Sequence, residues 1–447
     1  MENNKHVVIF PFPFGSHLPP LLNLVFKLAH AAPNTSFSFI GTHTSNAFLF
    51  TKRHVPDNIR VFTISDGIPE GYVPGNNPIV KLDFFLSTGP DNLCKGIELA
   101  VAETKQSVTC IIADAFVTSS LLVAQTLNVP WIVFWPNVSC SLSLYFSIDL
   151  IRDKCTNDAK NASLDFLPGL SKLRVEDVPR PQAIVLDGKE TLFARTLNSL
   201  GTVLPQAKAV VVNFFAELDP PLFVKDMRSK LQSLLFVDPL PCPQLLLPET
   251  DSNGCMSWLD SKSSRSVAYV CFGTAVSLPP QEVVEVAEAL EESGFPFLLA
   301  LSESLIGVLP KGLVERTMTR GKVVSWAPQS LVLSHGSVGV FVTHCGANSL
   351  TESISNGVPM ICRPFFGDQG IAARVIQDIW EIGVILEGRI FTKNGFVKNL
   401  NLILVQEEGK KIRDNALKVK QIVQDAAGPH GQAAEDFNTL VEMISSS

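Results

Sequence analysis

Short apolar runs alternate with longer amphipathic segments along most of the chain. In the first half, HVVIFPF is followed by PPLLNLVFKLAHAA, and VTCIIAD by SSLLVAQTLN. The alternation begins again in the second half with SVAYVCFGT and PPQEVVEVAEALEESG. Continuous apolar runs are typical of strands buried on both faces of a parallel sheet, and the segments between them have helical periodicity. The pattern therefore predicts βαβ units and an α/β fold.

Residues 238–254 break this alternation. The segment contains prolines 239, 241, 243 and 248 and has no periodicity, which is typical of a linker. A chain of 447 residues is also too long for one ordinary hydrophobic core. We therefore predict a first domain over 1–239, a linker over 240–252 and a second domain over 253–447. The last helix of the chain is a candidate to pack back on the first domain.

Composition and charge narrow the class of protein. The formal net charge is −7 without a block of Lys and Arg, which argues against a nucleic-acid or anionic-membrane surface. The start lacks the long apolar region of a signal peptide, and prolines and amides interrupt the apolar stretch 119–148 too often for a membrane span. The nine cysteines show no CxxC pair, as in proteins that keep buried thiols in a reducing compartment. We expect a cytoplasmic monomer with small-molecule substrates.

Polar residues directly follow four of the predicted strands. They are His17, Asp114, His344 and Asp368, two in each half of the chain. Ligands of open parallel sheets bind outside the carboxyl ends of the strands. One such residue alone is typical of a helix cap or a hydrogen-bonded loop, but four of them favour a functional site in each half.

The sequence FVTHCGANSLTES, residues 341–353, carries the strongest local signal. A predicted strand ends at His344, and a helix starts near Asn348 and Ser349 after a glycine turn. The N–H groups and the dipole at a helix start bind anions, and these side chains add further donors, with Glu352 one turn along. The alternative is an ordinary helix start, capped by Asn348 or Ser349 with Glu352 closing a capping box.

Several common motifs do not occur in the sequence. There is no GxGxxG or GxxxxGK[ST] motif, so dinucleotide and P-loop sites lose their main support. There is also no DxD pair and no His/Cys cluster with metal-ligand spacing. We therefore predict that any phosphate is held by helix termini and neutral donors, without a metal ion or a cofactor.

His17 is the candidate general base. An imidazole whose other nitrogen donates to a carboxylate is held in one tautomer and becomes more basic, and Asp114 is the candidate partner in the same half. Ser16 raises the alternative of a Ser-His-Asp hydrolase. Adjacent residues do not readily form that relay, however, and the sequence has no GxSxG elbow.

These residues belong to a longer pattern. WAPQSLVLSHGSVGVFVTHCGANSLTESISNGVPMICRPFFGDQ, residues 326–369, resembles the C-terminal signature of plant UDP-sugar-dependent glycosyltransferases of secondary metabolism. The resemblance covers the whole chain, and HVVIFPFPFGSHLPPLLNL with FTISDGIPEGYV is most similar to flavonoid and anthocyanidin 3-O-glucosyltransferases. It implies a GT-B architecture, in which two Rossmann-like domains with parallel sheets face each other across a cleft. The acceptor would bind mainly to the first domain and the donor mainly to the second.

The resemblance also implies how the nucleoside of the donor is bound. Trp326 would stack on the uracil, with backbone groups of Ala327 on its edge. Gln329 and Glu352 would hold the ribose.

For the diphosphate and the sugar, the resemblance implies further residues. The diphosphate would be bound by Thr274, His344, Asn348 and Ser349. Asp368 and Gln369 would bind the sugar hydroxyls. Glutamine at the latter position usually accompanies glucose in this family, and histidine accompanies galactose.

The reaction implied by the resemblance is a direct inverting displacement. His17 would take the proton of an acceptor hydroxyl while Asp114 orients the imidazolium and compensates its charge. The oxygen would attack the anomeric carbon of UDP-glucose and give a β-glucoside and UDP. Because UDP is a good leaving group, neither an acid nor a metal ion is strictly needed.

Candidate acceptor-binding residues come from the first half. Phe12, Phe116 and Phe146 are candidates to line a flat aromatic pocket, with ordinary core packing as the alternative. Asn137 is a candidate polar contact, and its alternative role is to satisfy a loop.

The chain departs from the family pattern at three places. Ala347 stands where tryptophan is usual, although some flavonoid 3-O-enzymes share the alanine. Leu299 and Ser302 stand where relatives carry tryptophan and a basic residue, which predicts looser packing near the donor. Residues 175–190 have prolines in place of an acidic loop beside the acceptor.

The sequence thus predicts an enzyme that transfers glucose from UDP-glucose to the 3-hydroxyl of an anthocyanidin or flavonol. One alternative is the same chemistry on another phenolic or terpenoid acceptor. The other is a flavonoid- or nucleotide-binding protein that has lost turnover, an alternative suggested by Leu299 and Ser302.

Overall fold

The structure, a computed structural model, describes residues 5–51, 53–73, 78–154, 162–179, 191–240, 251–274 and 276–446. Most of the predicted linker (241–250) and most of the predicted acceptor-side loop (180–190) lie outside these residues.

The strands of the described residues are short and are separated by helices. In chain order they are β1 (Lys5–Phe10), β2 (Thr35–Thr42), β3 (Ile59–Ile64), β4 (Cys110–Asp114), β5 (Trp131–Trp135), β6 (Ala209–Val212), β7 (Leu234–Phe236), β8 (Val267–Cys271), β9 (Phe297–Ala300), β10 (Gly321–Val324), β11 (Val338–Thr343), β12 (Met360–Cys362) and β13 (Gly383–Ile385).

The α-helices of the same residues range from single turns to long helices. They are α1 (Leu18–Ala31), α2 (His43–Phe50), α3 (Pro78–Thr104), α4 (Ser120–Leu127), α5 (Leu142–Tyr145), α6 (Ile148–Lys154), α7 (Leu192–Val203), α8 (Pro221–Lys230), α9 (Cys255–Asp260), α10 (Pro280–Ser293), α11 (Glu303–Ile306), α12 (Leu313–Thr317), α13 (Gln329–Ser334), α14 (Ala347–Asn356), α15 (Gln369–Arg374), α16 (Lys393–Leu404), α17 (Lys410–Ala426) and α18 (Gln432–Ser446).

The chain divides into two compact units. The first consists of Met1–Ser171, Val178–Leu247 and Ala426–Ser447, and the second of Lys172–Asp177 and Pro248–Asp425. The short segment Lys172–Asp177 therefore belongs to the second unit, although the chain on both sides of it belongs to the first.

The first unit is built on a parallel sheet with the strand order β3-β2-β1-β4-β5-β6-β7. The order reverses between β1 and β4, which pair with Phe10 beside Ala113. Such a reversal is where doubly wound sheets bind ligands, at the carboxyl ends of the strands. His17 follows β1 and Asp114 ends β4, so both lie at this reversal.

The second unit repeats this arrangement. Its parallel sheet has the order β10-β9-β8-β11-β12-β13, and the reversal lies between β8 and β11. Thr274 follows β8 closely and His344 follows β11 directly. In each unit, the predicted site residues thus lie at the point where the topology favours a ligand.

Prolines, glycines and apolar runs place these elements. Pro19 and Pro20 occupy the first turn of α1, where a missing N–H costs no hydrogen bond. Gly294 ends α10 with a φ of +73°, a conformation that favours glycine. The strand residues Val7–Phe10 are fully buried, as expected for a central strand covered on both faces.

Helix α18 completes the first unit. Leu440 and Ile444 are fully buried in the core of that unit. The Asp436 carboxylate accepts a hydrogen bond of 2.8 Å from the N–H of Phe236 in β7, and burial raises the pKa of this carboxyl. Among the described residues, no helix combines the length and the apolar character needed to span a membrane.

Candidate active site

His17 lies on a tight turn between β1 and α1. The turn is a 3-10 helix over Gly15–His17, and Gly15 has a φ of +60°, which favours glycine. His17 precedes the first residue of α1 directly, and the prolines that follow stiffen that helix start. The backbone on both sides therefore restricts where the imidazole can point.

The imidazole of His17 pairs with the carboxylate of Asp114. Nδ1 of His17 lies 2.8 Å from Oδ2 of Asp114, and the side chains are 12% and 0% exposed. The other carboxylate oxygen, Oδ1, accepts a hydrogen bond of 2.9 Å from the N–H of Phe116. With the proton of the neutral ring on Nδ1, the lone pair of Nε2 is available to accept a proton.

Phenylalanine rings surround this pair. The rings of Phe116 and Phe12 lie 4.8 and 5.1 Å from the imidazole, measured between centroids. Phe193 of α7 stacks on Phe12 at 6.2 Å, and Phe85 of α3 meets the edge of Phe12 at 6.2 Å. Phe85 and Phe193 were not predicted as site residues, because they lie in amphipathic segments where phenylalanine is typical of the core.

The other two acceptor candidates lie further along the first unit. Asn137 is half-buried in the turn after β5. Phe146 follows α5, and the Lys230 ammonium lies 5.7 Å from the centre of its ring. Among the described residues, Phe146 has no ring contact with the group around His17, so its role in the acceptor pocket stays a prediction.

The imidazole of His344 lies between two glycines. A Cβ atom added to Gly346 would come within 2.4 Å of Nε2, and one added to Gly273 within 3.0 Å of Cε1. Burial lowers the pKa of His344 to about 4, and its Nδ1 has no hydrogen-bond partner among the described residues. The ring is therefore neutral near pH 7 and carries one N–H group, as a donor to an anion would require.

Helix α14 starts directly beyond this imidazole without a side-chain cap. The cap position is Gly346, and Leu350 donates the first backbone hydrogen bond to its carbonyl oxygen at 2.9 Å. The alternative expectation of a cap by Asn348 or Ser349 is therefore wrong. A helix start that lacks a capping side chain keeps its first N–H groups available for an anion.

Three residues predicted for the ribose and diphosphate form one group. Nε2 of Gln329 donates to Ser349 Oγ at 2.9 Å and to Glu352 Oε2 at 2.5 Å. Near them, Trp326 is 45% exposed, and its carbonyl oxygen accepts a hydrogen bond of 2.7 Å from Asn253. An exposed indole beside a half-buried polar group suits a stacked base.

Three further predicted donor residues lie next to a helix start or in a turn. They are Ala327, Thr274 and Asp368. Ala327 is buried directly before α13, and Thr274 is exposed in the turn after Gly273. Asp368 lies at the cap position of α15, where its carbonyl oxygen accepts the N–H of Ala372 at 2.9 Å.

The first residue of α15 is Gln369, which is 6% exposed. Its Oε1 accepts two hydrogen bonds, at 2.8 and 3.2 Å, from the N–H groups of Phe365 and Phe366. The side chain thus holds the preceding loop through its oxygen, and its NH₂ group is the part left to donate to a sugar hydroxyl.

The structure also describes two positions at which the chain departs from the family pattern. Leu299 is fully buried in the core of the second unit, packed as an ordinary strand residue of β9. Ser302 lies at the start of α11, and its hydroxyl lies 3.1 Å from that of Ser304. The leucine fills its position in the core, which argues against looser packing there.

The comparisons with known proteins agree along the whole chain. The family described as UDP-glucoronosyl and UDP-glucosyl transferase matches residues 246–429. A flavonol 3-O-glucosyltransferase of Actinidia chinensis var. chinensis is 44% identical over 98% of this chain and 96% of its own length. An anthocyanidin 3-O-glucosyltransferase of Vitis vinifera is 43% identical over 99% of this chain and 98% of its own length.

A solved structure extends this agreement to the fold. The crystal structure of a UDP-glucose: anthocyanidin 3-O-glucosyltransferase in complex with UDP is 87% identical, with a TM-score of 0.98 over 100% of both chains. The predicted GT-B fold class, with two Rossmann-like parallel-sheet domains, is confirmed by this match.

Proposed function

The chain belongs to the UDP-glucosyl and UDP-glucuronosyl transferase family, and we propose that it transfers glucose from UDP-glucose to the 3-hydroxyl of an anthocyanidin or flavonol. The observation that carries the proposal is the hydrogen bond of 2.8 Å between His17 and Asp114 among phenylalanine rings. A histidine oriented by a carboxylate is suited to act as a general base, and the aromatic rings around it suit a flat phenolic acceptor. The named activities of the relatives supply the acceptor class and the position of transfer.

In the proposed reaction, Nε2 of His17 takes the proton of the acceptor hydroxyl. The acceptor oxygen forms a bond to the anomeric carbon from the side opposite UDP, while the bond from that carbon to the diphosphate oxygen breaks. The buried carboxylate of Asp114 stabilises the imidazolium, which later releases its proton to solvent. The products are a β-glucoside and UDP.

The second unit holds the donor in this proposal. The start of α14 and the neutral His344 donate to the diphosphate, on which negative charge develops as UDP leaves. Trp326 stacks on the uracil beside Ala327, and Gln329 with Glu352 holds the ribose. Thr274, Asn348 and Ser349 add contacts to the phosphates, and Asp368 with Gln369 binds the sugar.

We propose that neither a metal ion nor a cofactor takes part. UDP is a good leaving group, and neutral N–H groups can stabilise the negative charge that develops on its diphosphate. The enzyme is further proposed to be a cytoplasmic monomer. The alternative of a binding protein without turnover loses much of its support, since Leu299 is an ordinary core residue.

A product assay tests the proposal. UDP-glucose and UDP-galactose are supplied in turn with anthocyanidins, flavonols, simple phenols and terpenoid alcohols, with and without EDTA. We expect β-linked 3-O-glucosides from UDP-glucose at an unchanged rate in EDTA, with the attachment site assigned by NMR. Products at another hydroxyl, or on terpenoid alcohols alone, would contradict the proposed acceptor.

A further inference from the structure

A buried group of charges lies beside helix α15 and has no part in the mechanism above. Arg374, the last residue of α15, is 4% exposed, and the side chain of Asp177 is fully buried. Asp177 belongs to Lys172–Asp177, the segment of the second unit that is most distant from α15 in sequence. Buried charges of this kind persist only where their hydrogen bonds are satisfied.

The hydrogen bonds of this group converge on Asp177. Nε of Arg374 donates to Asp177 Oδ2 at 3.0 Å, and its other nitrogens donate to Glu176 at 2.8 Å and Asp378 at 2.9 Å. Arg389 donates to Asp177 Oδ1 and, at 2.9 Å, to the carbonyl oxygen of Glu176. Two guanidinium groups thus share one carboxylate, an arrangement with little freedom of orientation.

Asp177 also touches the other end of α15 through its backbone. A Cβ atom added to Gly370 would lie 2.6 Å from the carbonyl oxygen of Asp177, so glycine is required for this close approach. Helix α15 has only six residues, and Asp177 therefore holds both its first turn and its last residue. Gln369 begins the same helix, so its position depends on these two contacts.

We propose that Asp177 is a positioning residue for the donor sugar, which it controls through Gly370 and Arg374 of α15. The inference rests on the proposed function, because the contacts of Asp368 and Gln369 with the sugar are themselves proposed. The residues proposed for uracil, ribose and diphosphate lie on α13 and just before it, on α14, and in the turns after β8 and β11, outside this group of charges. Loss of the Asp177 carboxylate should therefore affect the glucose moiety and spare UDP.

Asp177→Asn tests this separation. Calorimetry without acceptor gives the dissociation constants of UDP and of UDP-glucose, and kinetics give kcat/KM for UDP-glucose and UDP-galactose. We expect UDP-glucose to bind about tenfold more weakly while the value for UDP stays within about twofold, since small misplacements of contact residues have effects of this size. The ratio of kcat/KM for UDP-glucose to that for UDP-galactose should also move closer to one. Arg374→Lys, which keeps the charge with fewer hydrogen bonds, should give a smaller change in the same direction.

The matched control is Arg320→Met. Arg320 also donates to buried main-chain oxygens of the second unit, those of Leu290 and Phe295, but at the amino end of β10. The Arg320→Met variant should have a lower melting temperature, but the ratio of its affinities for UDP-glucose and UDP should stay the same. If Asp177→Asn does not fold, Gly370→Ala disturbs the other contact between Asp177 and α15, that of the Asp177 carbonyl oxygen, without removing a charge, and the same selective loss is expected.

Equal losses for UDP and UDP-glucose, or no loss for either, would overturn the positioning role. The proposed function fails separately, when wild-type protein binds UDP-glucose but transfers no glucose to a flavonoid. In that case the two dissociation constants still report whether Asp177 acts on the sugar.

Discussion

At the scale of single residues, the tautomer of His17 decides whether it works as a base. Nδ1 must carry the proton that is donated to Asp114, so that the lone pair of Nε2 is available. A carboxylate at position 114 enforces this arrangement because it only accepts hydrogen bonds at neutral pH. The pair therefore combines orientation and charge compensation in one contact.

His17→Ala is expected to lower kcat by a factor of about 10² to 10⁴, since it removes general-base catalysis. Asp114→Asn should also lower kcat, because an amide can donate to Nδ1 and so shift the proton to Nε2. Steady-state kinetics with a saturating flavonoid measure both effects, and calorimetry should give unchanged UDP affinity. His30→Ala is the control, since His30 lies on α1, the helix that follows His17, and bonds only to the Phe26 carbonyl oxygen in the described structure. Full activity of His17→Ala would exclude it as the base.

Gln369→His is expected to lower the ratio of kcat/KM for UDP-glucose to that for UDP-galactose by about tenfold, since a site that loses a matched hydrogen bond discriminates less. The change should also loosen residues 365–366, because Oε1 of Gln369 binds both N–H groups. Competition between the two donors measures the ratio. Gln377→His is the control, since Gln377 likewise binds one backbone N–H, that of Ile385 at 2.7 Å. An unchanged ratio for Gln369→His would remove Gln369 from the sugar contacts.

Candidate site residues at strand ends could be selected from the sequence, and the phenylalanines inside helices α3 and α7 could not. His17, Asp114 and His344 each interrupt or follow an apolar run, and that position alone indicates the carboxyl edge of a sheet. Phe85 and Phe193 have no such marker, because an apolar position in an amphipathic helix looks the same whether it faces a core or a ligand.

At the scale of elements, the turn after β8 and the start of α14 form one structural device around His344. Each contributes a glycine whose missing side chain leaves space for the imidazole. The ring can then lie against the backbone at the start of α14, where anions are bound. Neither glycine could be assigned this role from the sequence, since the close approach depends on the pairing of β8 with β11.

Gly346→Ala is expected to weaken UDP binding by about tenfold or more, because the new Cβ atom would lie 2.4 Å from Nε2 of His344 and must displace the ring. Calorimetry measures the affinity, and thermal unfolding shows whether the fold is retained. Gly336→Ala is the matched control, as a Cβ atom there has open space and should leave UDP binding unchanged. Equal UDP affinities of the two variants would contradict the assignment of His344 to the phosphates.

Elements with clear apolar runs or clear ends were predicted well, including the short strands β9, β10 and β12, but some other short strands were missed. Strands β1, β4, β8 and β11 and helices α1 and α10 lie where apolar runs, prolines and glycines indicated them. Strands β6 and β13 have four and three residues, too few to show a period, and were not predicted. Their places depend on the neighbouring strands with which they pair.

At the scale of the whole molecule, one buried group in each unit should make stability depend on pH, and the two dependences have opposite directions. Burial raises the pKa of Asp219 in the first unit to about 7, and burial lowers that of His344 in the second unit to about 4. Between pH 3.8 and 7 the folded first unit binds a proton at Asp219 that the unfolded chain releases, so the contribution of Asp219 to the stability of that unit falls as the pH rises. Between pH 4 and 6.5 the unfolded chain protonates position 344 while the folded unit does not, so the stability of the second unit rises with pH.

As the pH rises, Asp219 should lower the free energy of unfolding of the first unit by at most about 4 kcal/mol, and Asp219→Asn should remove this decrease. His344 should raise the free energy of unfolding of the second unit by at most about 3 kcal/mol as the pH rises, and His344→Asn should remove this increase. Hydrogen exchange with mass spectrometry, at pH 5 and pH 8 after correction for the intrinsic rate, reports each unit through its own peptides. If neither variant changed the pH dependence of its own unit, the two groups would not titrate in this way.

The position of α18 also has a consequence for the order of synthesis. Leu440 and Ile444 belong to the core of the first unit, and Asp436 binds the N–H of Phe236 in β7. The ribosome therefore makes every residue of the second unit before the core of the first can be completed. A nascent chain that has emerged only to residue 426 still exposes the apolar surface that α18 covers, so emergence of α18, rather than emergence of the first 240 residues, is the moment at which the first unit can finish folding.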